Sequence, residues 1–580
     1  MRWVYRLALT LAVIAPLHAP AFAAEPEAPA VLIGATEAIR IAIQNRLSAK
    51  FTAASNARKS EQGALVEFYS APEHHLLWVD NKRLTDRGKM VMAEIAKADD
   101  YGLRASDYAL PKPDTFDASD PKATDWLADA EIKISFAVLG YANDARGGRI
   151  NPSRLSENLD PSLALPNPSE VIESIAFRSD PAAYLRSFQP DQPQFEALRQ
   201  KLLELRGGNP KSADDKSAVI IPDGPMLKMG MQHEQVVLLR KRLDVPANSH
   251  AEENTFDAAL VEAVERSQDA HGVLPDGMVG PGMRRLLNGR QKTSVAGGSA
   301  KIRAILVNME RWRWLPHDLG PYYVTVNIPE FTLRVVADSK TVHTTRVVVG
   351  KPDKQTPVFS DEMQEIVFNP FWNVPTSIKV EEIRPYLREE AAWFFGGRGW
   401  NTAVLQRHNL RVKYLGRDVD PGAIDWNAMD IRNFEIYQPP GPDNVLGHVK
   451  FVFPNKHDVY MHDTPQKFLF AQPVRAESHG CMRVQNPEQL ALILLRHDQG
   501  WNEARIASAI SDGYDSHVAL RQRIPVYITY FTLKANEDGS TSNYGDIYGH
   551  DARMAAALGL WTRRNPVEIL LTLVRDSGPV

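Results

Sequence analysis

The chain has 580 residues, of which 44% are hydrophobic and 24% charged, a composition typical of folded globular proteins. Its formal net charge of −4 argues against a general binder of polyanions, so we expect no nucleic-acid partner. The single cysteine excludes an internal disulfide, and at roughly 150 residues per domain the length predicts about three or four domains.

The N-terminal segment 1–23 has the three-part form of an export signal. Arg2 and Arg6 precede an apolar run, and the small-x-small sequence Ala21–Ala23 predicts cleavage before Ala24. An uncleaved membrane anchor is the alternative, but prolines interrupt the run and a bilayer needs roughly 20 apolar residues. We therefore expect a soluble mature protein outside the cytoplasm, which meets the membrane only through this signal during export.

Two helical regions follow. Residues 24–218 are predicted to be a mainly helical scaffold domain, because apolar residues recur at helical spacing and prolines divide the segment into short pieces. Residues 228–290 predict a small three-helix module, in which a tight turn separates the second helix from the third.

The order of residues in the 228–290 module resembles the peptidoglycan-binding type 1 module. The matching positions are Val236, Leu239, Leu243, Phe256, Asp257, Ala263, Val264, Gln268, Gly272, Asp276, Gly277 and Gly280. Ser267 departs from the family pattern, which usually has an aromatic residue before the glutamine. The resemblance implies a cell-wall partner.

A connecting segment at 291–320 leads to a β-rich domain at 321–534, where alternating Val, Thr and aromatic residues predict strands. Inside this domain, residues 376–432 become helical and irregular and predict a helical insertion. Residues 535–580 are expected to supply the end of a last hairpin and a helix. The chain is thus predicted to be a multidomain α+β protein.

The lone Cys481 lies in the sequence SHGCMRV. In an oxidising compartment an unpaired cysteine is a candidate reactive thiol, although a buried, inert cysteine is the alternative. A free thiol pKa of about 8.5 leaves little thiolate at neutral pH, so catalysis needs a base nearby. His479 stands two residues before Cys481 and His462 stands 19 residues before it, and spacing alone does not choose between them.

Two neighbours of Cys481 suit acyl transfer. Gly480 lets a substrate carbonyl approach the backbone, so the N–H groups of Gly480 and Cys481 are candidate oxyanion donors. In an extended segment Arg483 lies on the same side as Cys481, and its planar guanidinium suits a substrate carboxylate. The alternatives are a surface ion pair for Arg483 and a hydrogen-bonded core position for His462.

The sequence SHGCMRV, with HDTP upstream at 462–465, closely resembles the signature of L,D-transpeptidases with a YkuD-type catalytic domain. The matching residues are His462, Ser478, His479, Gly480, Cys481 and Arg483. The likeness extends over roughly 322–534, and the order of domains resembles the large multidomain branch of Gram-negative bacteria. The resemblance therefore implies a periplasmic location.

The resemblance also implies a β-rich sandwich with Cys481 at the mouth of a cleft. Cys481 is then the nucleophile and His462 its base, oriented by a neighbouring backbone carbonyl. Arg483, Tyr460 and Trp372 are then candidates for binding the substrate. Tyr460 and Trp372 would line the cleft, and the alternative for both is a role in packing alone. The helical insertion is expected to cap the cleft.

Three further motif residues have less defined roles. Ser478 and Gly480 belong to the oxyanion motif that the resemblance implies. His479 is expected to be structural or to help shape the oxyanion pocket.

The reaction implied by the resemblance is acyl transfer in the cell wall, without cofactor or metal. Cys481 attacks the diaminopimelate carbonyl of a tetrapeptide stem and releases D-Ala, and a second stem then resolves the thioester into a 3→3 cross-link. Carbapenems are expected to acylate the same thiol. The implied partners are peptidoglycan stem peptides and glycan, with other wall-synthesis enzymes as further candidates.

Three alternatives remain open at this level. The same fold with water as acceptor is an L,D-carboxypeptidase or cross-link hydrolase, and with a lipoprotein lysine it is an anchoring enzyme. A metal-dependent wall amidase would use a set of four side chains, namely His457, His462, Asp463 and His479. A non-catalytic wall-binding scaffold would make Cys481 irrelevant.

Overall fold

The computed structural model describes residues 34–48, 56–112, 116–207, 219–247, 249–270, 275–287, 293–391, 398–536 and 538–560. The predicted export signal and its cleavage site lie outside these ranges. Within them, no helix combines the length and the apolar character that a membrane crossing requires.

Helices make up most of the described N-terminal region, as the sequence predicts. The α-helices in chain order are α1 (Ala35–Leu47), α2 (Asn56–Ser70), α3 (Asp86–Ile95), α4 (Ala123–Gly147), α5 (Pro168–Phe177), α6 (Pro181–Arg186), α7 (Pro193–Gly207), α8 (Glu234–Leu243), α9 (Ala258–Ala270), α10 (Pro281–Leu287), α11 (Thr293–Trp312), α12 (Thr376–Ile378), α13 (Ala403–Arg407), α14 (Pro487–Gln499), α15 (Glu503–Ser511) and α16 (His550–Ala557).

Helix α4 is the centre of the scaffold region and packs against α1, α3 and α5. Its Glu131 is fully buried and accepts hydrogen bonds from three successive backbone N–H groups, at Leu77, Trp78 and Val79. Buried polar groups are costly unless hydrogen-bonded, so this carboxylate holds the 77–79 loop against the helix. Most of the region thus shares one core, whereas Phe195, Leu198 and Leu202 of α7 pack with Leu533 and Ala535 of the β domain.

Helices α8, α9 and α10 surround a separate small core that includes Val236, Leu239, Phe256, Leu260 and Val264. The turn before α10 is held by Gln268, whose side chain donates to Asp276 and accepts from the N–H of Gly277. Gly277 has a φ of +68°, which favours glycine. These module residues therefore have a structural role in the turn, while Gly272 lies outside the described residues.

The segment 291–320, predicted to be a connector, contains the 20-residue helix α11. Asn308 accepts hydrogen bonds from the N–H groups of Thr532 and Leu533 in the β domain. Glu310, two residues on, accepts from the N–H of Arg149 in the scaffold region. The helix is therefore a packed element that joins the two regions.

The strands in chain order are β1 (Tyr322–Asn327), β2 (Thr332–Ala337), β3 (Lys340–Gly350), β4 (Phe359–Phe368), β5 (Trp372–Asn373), β6 (Glu389–Ala391), β7 (Arg398–Trp400), β8 (Arg411–Tyr414), β9 (Arg417–Val419), β10 (Glu435–Gln438), β11 (Val449–Val452), β12 (Met461–His462), β13 (Ala476–Ser478), β14 (Met482–Val484), β15 (Ser516–Thr529), β16 (Leu533–Ala535) and β17 (Thr541–Asn543).

The main sheet has the strand order β13-β3-β14-β12-β11-β4-β15-β1-β2, and β2 also pairs with β3. This extra pairing closes the sheet on itself, so the predicted sandwich is a single barrel-like sheet. Its interior is filled by alternating apolar side chains, with α14, α15 and α16 packed against the same core. The predicted multidomain α+β class, with a helical N-terminal region and a β-rich domain, is confirmed.

The insertion predicted to be helical at 376–432 contains β-strands as well as helical turns. Its helical turns are short, and β8 and β9 form a hairpin that joins β5 and β10 in a second, four-stranded sheet. The hairpin turn is Leu415-Gly416, where both residues have positive φ. The insertion has its own core, which includes Trp426 and Phe434. Strands β8 and β9 have only four and three residues, too few for a visible alternation of apolar and polar side chains. The turn residue Leu415 is also not typical of a hairpin turn, so the sequence does not reveal this hairpin.

Candidate active site

Cys481 and His462 are brought together by two neighbouring strands. Strand β12 runs parallel to β14, with Met461 opposite Met482 and His462 opposite Arg483. Cys481 stands just before β14, and the N–H of Met482 donates to the carbonyl of Tyr460 at 3.1 Å. The 18 residues between His462 and Cys481 thus leave β12 and return to the strand beside it.

His462 is buried and its ring orientation is set by the backbone. Its Nδ1 lies 2.5 Å from the carbonyl oxygen of Asp463, as the resemblance implies. A carbonyl can only accept, so Nδ1 carries the proton and Nε2 is the nitrogen left to accept one. Asp463 is itself fixed, because its carboxylate accepts from the N–H groups of Thr464 and His448 and pairs with Lys467.

Both predicted catalytic groups are neutral near pH 7. Burial, with the nearby charges of Arg483 and Lys450, lowers the pKa of His462 to about 3. Burial raises the pKa of the Cys481 thiol to about 11, against the opposing effects of the Tyr460 N–H, the Lys450 charge and the Tyr460 hydroxyl. The Cys481 thiol donates weakly to the carbonyl of Asp458 at 3.9 Å, so attack through the thiolate requires transfer of this proton to a base.

The motif turn is held by Ser478. The buried hydroxyl of Ser478 donates to the carbonyl of Cys481 at 2.5 Å and accepts from the N–H of Gly480 at 3.2 Å. Gly480 has a φ of +113°, a conformation that a residue with a Cβ rarely adopts. The expectation that the Gly480 N–H faces an oxyanion was wrong, because Ser478 already uses that donor; the Cys481 N–H keeps this role as a candidate.

Tyr460 and Trp372 both lie at this site. The hydroxyl of Tyr460 interacts with the Cys481 thiol and with the side chain of Trp372, and burial raises its pKa well above the usual value. The Tyr460 ring lies 5.7 Å from the His462 ring, centroid to centroid. Since Trp372 belongs to β5 and pairs with β10, the insertion sheet reaches the predicted nucleophile through this contact.

Lys450 is a site residue that sequence reasoning missed. It lies opposite His462 on β11, and its Nζ is 4.1 Å from the centre of the Tyr460 ring. Burial lowers the pKa of Lys450, while the Cys481 thiolate, Asp515 and Glu365 act to raise it. The sequence does contain a sign of this role, because Lys450 is a charged residue within the otherwise apolar strand VKFV. A buried lysine requires a partner for its charge.

His479 contacts the insertion. Its Nε2 lies 2.7 Å from a carboxylate oxygen of Glu382 in the insertion, and both residues are exposed. A second pair, Lys354 with Glu381 at 2.7 Å, joins the same turn of the insertion to the loop after β3. His479 thus has a structural contact that joins the motif to the insertion, in line with the structural role expected for it as one alternative.

Arg483 is half-buried beside the site. Its Nη1 donates to the amide oxygen of Gln466, a neutral group, at 2.5 Å. Burial lowers its pKa, and Glu477 and the Cys481 thiolate act in the opposite direction. The guanidinium thus lies close enough to influence both His462 and Cys481 electrostatically.

The residues of the amidase alternative are separated in the structure. His457 binds Asp160 of the scaffold region at 2.9 Å, while His479 binds Glu382. Across the described residues, no group of three or more His, Cys, Asp or Glu side chains could hold a metal ion. The geometry therefore does not assemble this set.

Comparisons with known proteins agree with the motif. A family model described as L,D-transpeptidase catalytic domain matches residues 321–501, and one described as Scaffold domain matches residues 63–202. A curated Haemophilus influenzae protein named "Putative L,D-transpeptidase" is 32% identical over 259 residues. The aligned part is 44% of this chain and 50% of that protein, so the chain spans half the length of this relative.

Two solved structures show only weak similarity to this chain. An L,D-transpeptidase from Xylanimonas cellulosilytica is 15% identical, with 53% of this chain and 99% of that chain covered at a TM-score of 0.16. A fused Zn-dependent amidase, peptidase and peptidoglycan-binding protein from Clostridium acetobutylicum is 12% identical, with 52% and 99% covered at a TM-score of 0.14. Superpositions this poor support no inference about the present chain.

The fold and the motif thus define residues 321–501 as an L,D-transpeptidase catalytic domain of the YkuD type. A second segment, residues 63–202, matches the Scaffold domain, so the predicted combination of an L,D-transpeptidase catalytic domain with a scaffold domain is confirmed. The wall-binding role of the 228–290 module stays a prediction.

Proposed function

We propose that the protein is a periplasmic peptidoglycan L,D-transpeptidase that forms 3→3 cross-links through a thioester on Cys481. The observation that carries this proposal is the parallel pairing of β12 with β14, which places His462 on one strand and Cys481 just before its neighbour, with His462 Nδ1 anchored on the carbonyl of Asp463. That anchor leaves Nε2 free to accept the thiol proton, which is the arrangement that activates a cysteine for nucleophilic attack. The proposed partners are peptidoglycan stem peptides and glycan.

In the first step the Cys481 sulfur attacks the carbonyl of diaminopimelate in a tetrapeptide stem, and His462 Nε2 takes the thiol proton. The oxyanion is held by the Cys481 N–H, with the Tyr460 hydroxyl as the second donor. The carbon–nitrogen bond to D-Ala then breaks, and His462 returns the proton to the departing amine. A thioester on Cys481 and free D-Ala result.

In the second step the side-chain amine of another stem attacks the thioester. His462 takes a proton from the amine and returns it to the sulfur as the thiol leaves. The product is an amide between two diaminopimelate residues, and the enzyme regains its starting state. Trp372 lines the acyl-donor side, and the insertion covers the cleft above it.

Through Arg483, substrate binding changes the pKa of the base His462. Its positive charge contributes to the low pKa of His462. A stem carboxylate paired with the guanidinium offsets that charge, so the pKa of His462 rises and the imidazole becomes a better base. Binding of the donor stem thereby promotes the attack of Cys481 on the carbonyl of that stem.

The test uses purified protein with disaccharide-tetrapeptides and mass spectrometry of the products. We expect 3→3 dimers and one free D-Ala per cross-link, with none from Cys481→Ala. His457→Ala is the matched control, since this histidine binds Asp160 and the proposal leaves it outside the chemistry.

The other outcomes separate the alternatives. Tripeptide without dimer identifies a carboxypeptidase, and transfer only to a lysine of a lipoprotein peptide identifies an anchoring enzyme. Loss of activity in His457→Ala or with a chelator supports the amidase. Product formation that persists in Cys481→Ala refutes the cysteine mechanism, and no product from the wild-type protein supports a binding scaffold.

A further inference from the structure

A chain of buried hydrogen bonds joins the C-terminal segment 530–551 to the peptide that precedes Cys481. This segment lies beyond residue 501, where the matched catalytic domain ends. The chain passes through Tyr548 and Thr356, two residues without a role in the reaction described above.

Thr356 contacts the nucleophile motif directly. Its hydroxyl donates to the carbonyl of Gly480 at 2.7 Å and accepts from the N–H of Gly350 at 2.9 Å. The residue is 1% exposed, so water does not compete for these bonds. A hydroxyl has one proton to donate, and Thr356 gives its proton to the motif.

Tyr548 holds Thr356 in place. The Tyr548 hydroxyl accepts from the N–H of Thr356 at 3.2 Å and donates to the carbonyl of Gly350 at 2.6 Å. Its own N–H donates to the hydroxyl of Tyr530, which in turn donates to Asp546 at 2.7 Å. Each hydroxyl therefore has a defined donor and acceptor, which fixes the direction of the chain.

The consequence for chemistry follows from the planarity of the peptide bond. The carbonyl of Gly480 and the N–H of Cys481 belong to one planar trans unit, and they point in opposite directions. Fixing the carbonyl on Thr356 therefore fixes the direction of the Cys481 N–H. Gly480 has a φ of +113°, so its backbone needs such external support to keep this conformation.

We propose that Thr356, held by Tyr548, is a positioning residue that aims the Cys481 N–H at the oxyanion formed during acylation. The proposal rests on the proposed function, because it assigns the oxyanion to attack by Cys481 on a carbonyl. It also makes the segment after residue 501 a part of the active-site architecture.

The test compares two reactions of the same thiol. Acylation by a carbapenem passes through an oxyanion, because the sulfur adds to the lactam carbonyl before the carbon–nitrogen bond breaks. Alkylation by iodoacetamide forms a carbon–sulfur bond as iodide leaves, and no oxyanion forms. Both adducts are counted by intact-protein mass spectrometry on the one cysteine. The ratio of the two rates therefore reports oxyanion support separately from access to the thiol.

Thr356→Val should lower the acylation rate about 10- to 100-fold, less than the roughly 100- to 1,000-fold of a removed oxyanion donor, because the N–H is misdirected and not lost; alkylation should stay within about twofold. Thr356→Ser restores the hydroxyl and should restore the ratio. Tyr548→Phe should lower the ratio in the same direction, with a smaller effect. Thr345→Val is the matched control, because its buried hydroxyl also bonds a backbone carbonyl, that of Gln485, away from Gly480.

The proposal is overturned if the ratio in folded Thr356→Val equals that of the wild type, or if acylation and alkylation fall together. Thermal unfolding checks the fold of each variant, and Tyr548→Phe decides the matter if Thr356→Val does not fold. Failure of the proposed function gives a different result, because the wild-type protein then makes no product from stem peptides. The ratio of carbapenem acylation to iodoacetamide alkylation still reports the role of Thr356 in that case.

Discussion

The state of the Cys481 thiol in the free enzyme leads to a measurable pH dependence. The pKa of this thiol is raised to about 11 and that of His462 is lowered to about 3. The thiol therefore stays protonated and the imidazole neutral between these values. Alkylation by iodoacetamide requires thiolate, so its rate should rise about tenfold per pH unit from pH 7 to pH 10.

The magnitude follows from the thiolate fraction. At pH 7.5 a thiol with a pKa of about 11 is ionised to about 0.03%, against about 9% for an ordinary thiol with a pKa of about 8.5. With a Brønsted slope of about 0.4–0.5, the more basic thiolate is about 10- to 20-fold more nucleophilic. Alkylation of folded protein should therefore be about 15- to 30-fold slower than that of a free thiol.

The assay measures single-adduct formation by mass spectrometry over pH 6 to 10, on folded protein and on the same protein in denaturant. The unfolded chain is an internal control, because its one cysteine should show an ordinary pKa. A rate that is high and constant between pH 6 and pH 8 would refute the reasoning. Such a plateau is the property of a thiolate–imidazolium pair, which the burial of both groups disfavours.

Further predictions concern single side chains around the thiol. A carbapenem should add once to the wild-type protein and not to Cys481→Ala; an adduct that persists in this variant would contradict the assignment. His462→Ala should reduce the acylation rate by about 10²- to 10⁴-fold through loss of the base, as single-turnover kinetics would show. Arg483→Lys keeps the charge but loses the planar fork, so both kcat and KM for the donor stem should worsen; equal kinetics in wild type, Arg483→Lys and Arg483→Ala would remove its substrate role. Lys450→Met removes a cation that favours the thiolate, so alkylation at fixed pH should slow, and an unchanged rate would show that this charge does not reach the sulfur.

The sequence alone predicted much of this protein because the relevant signals are local. Alternation of apolar and polar residues has the period of a strand, and helical spacing separates the N-terminal region from the β domain. The motif SHGCMRV places a glycine beside the lone cysteine, and Gly480 indeed has a φ that favours glycine. Each of these features depends on a few residues that are neighbours in the sequence, so it can be predicted from the sequence alone.

The tertiary structure decided which groups meet. It placed His462, and not His479, in the strand paired beside Cys481, and it directed His479 to Glu382 in the insertion. Contacts of this kind join residues far apart in sequence: Thr356 and Gly480 are separated by 124 positions. Spacing cannot encode them, because they arise only when the closed sheet brings distant strand ends together. The sequence by itself thus determined the elements and the motif, whereas only the packing of the sheet determined the partners of each functional side chain.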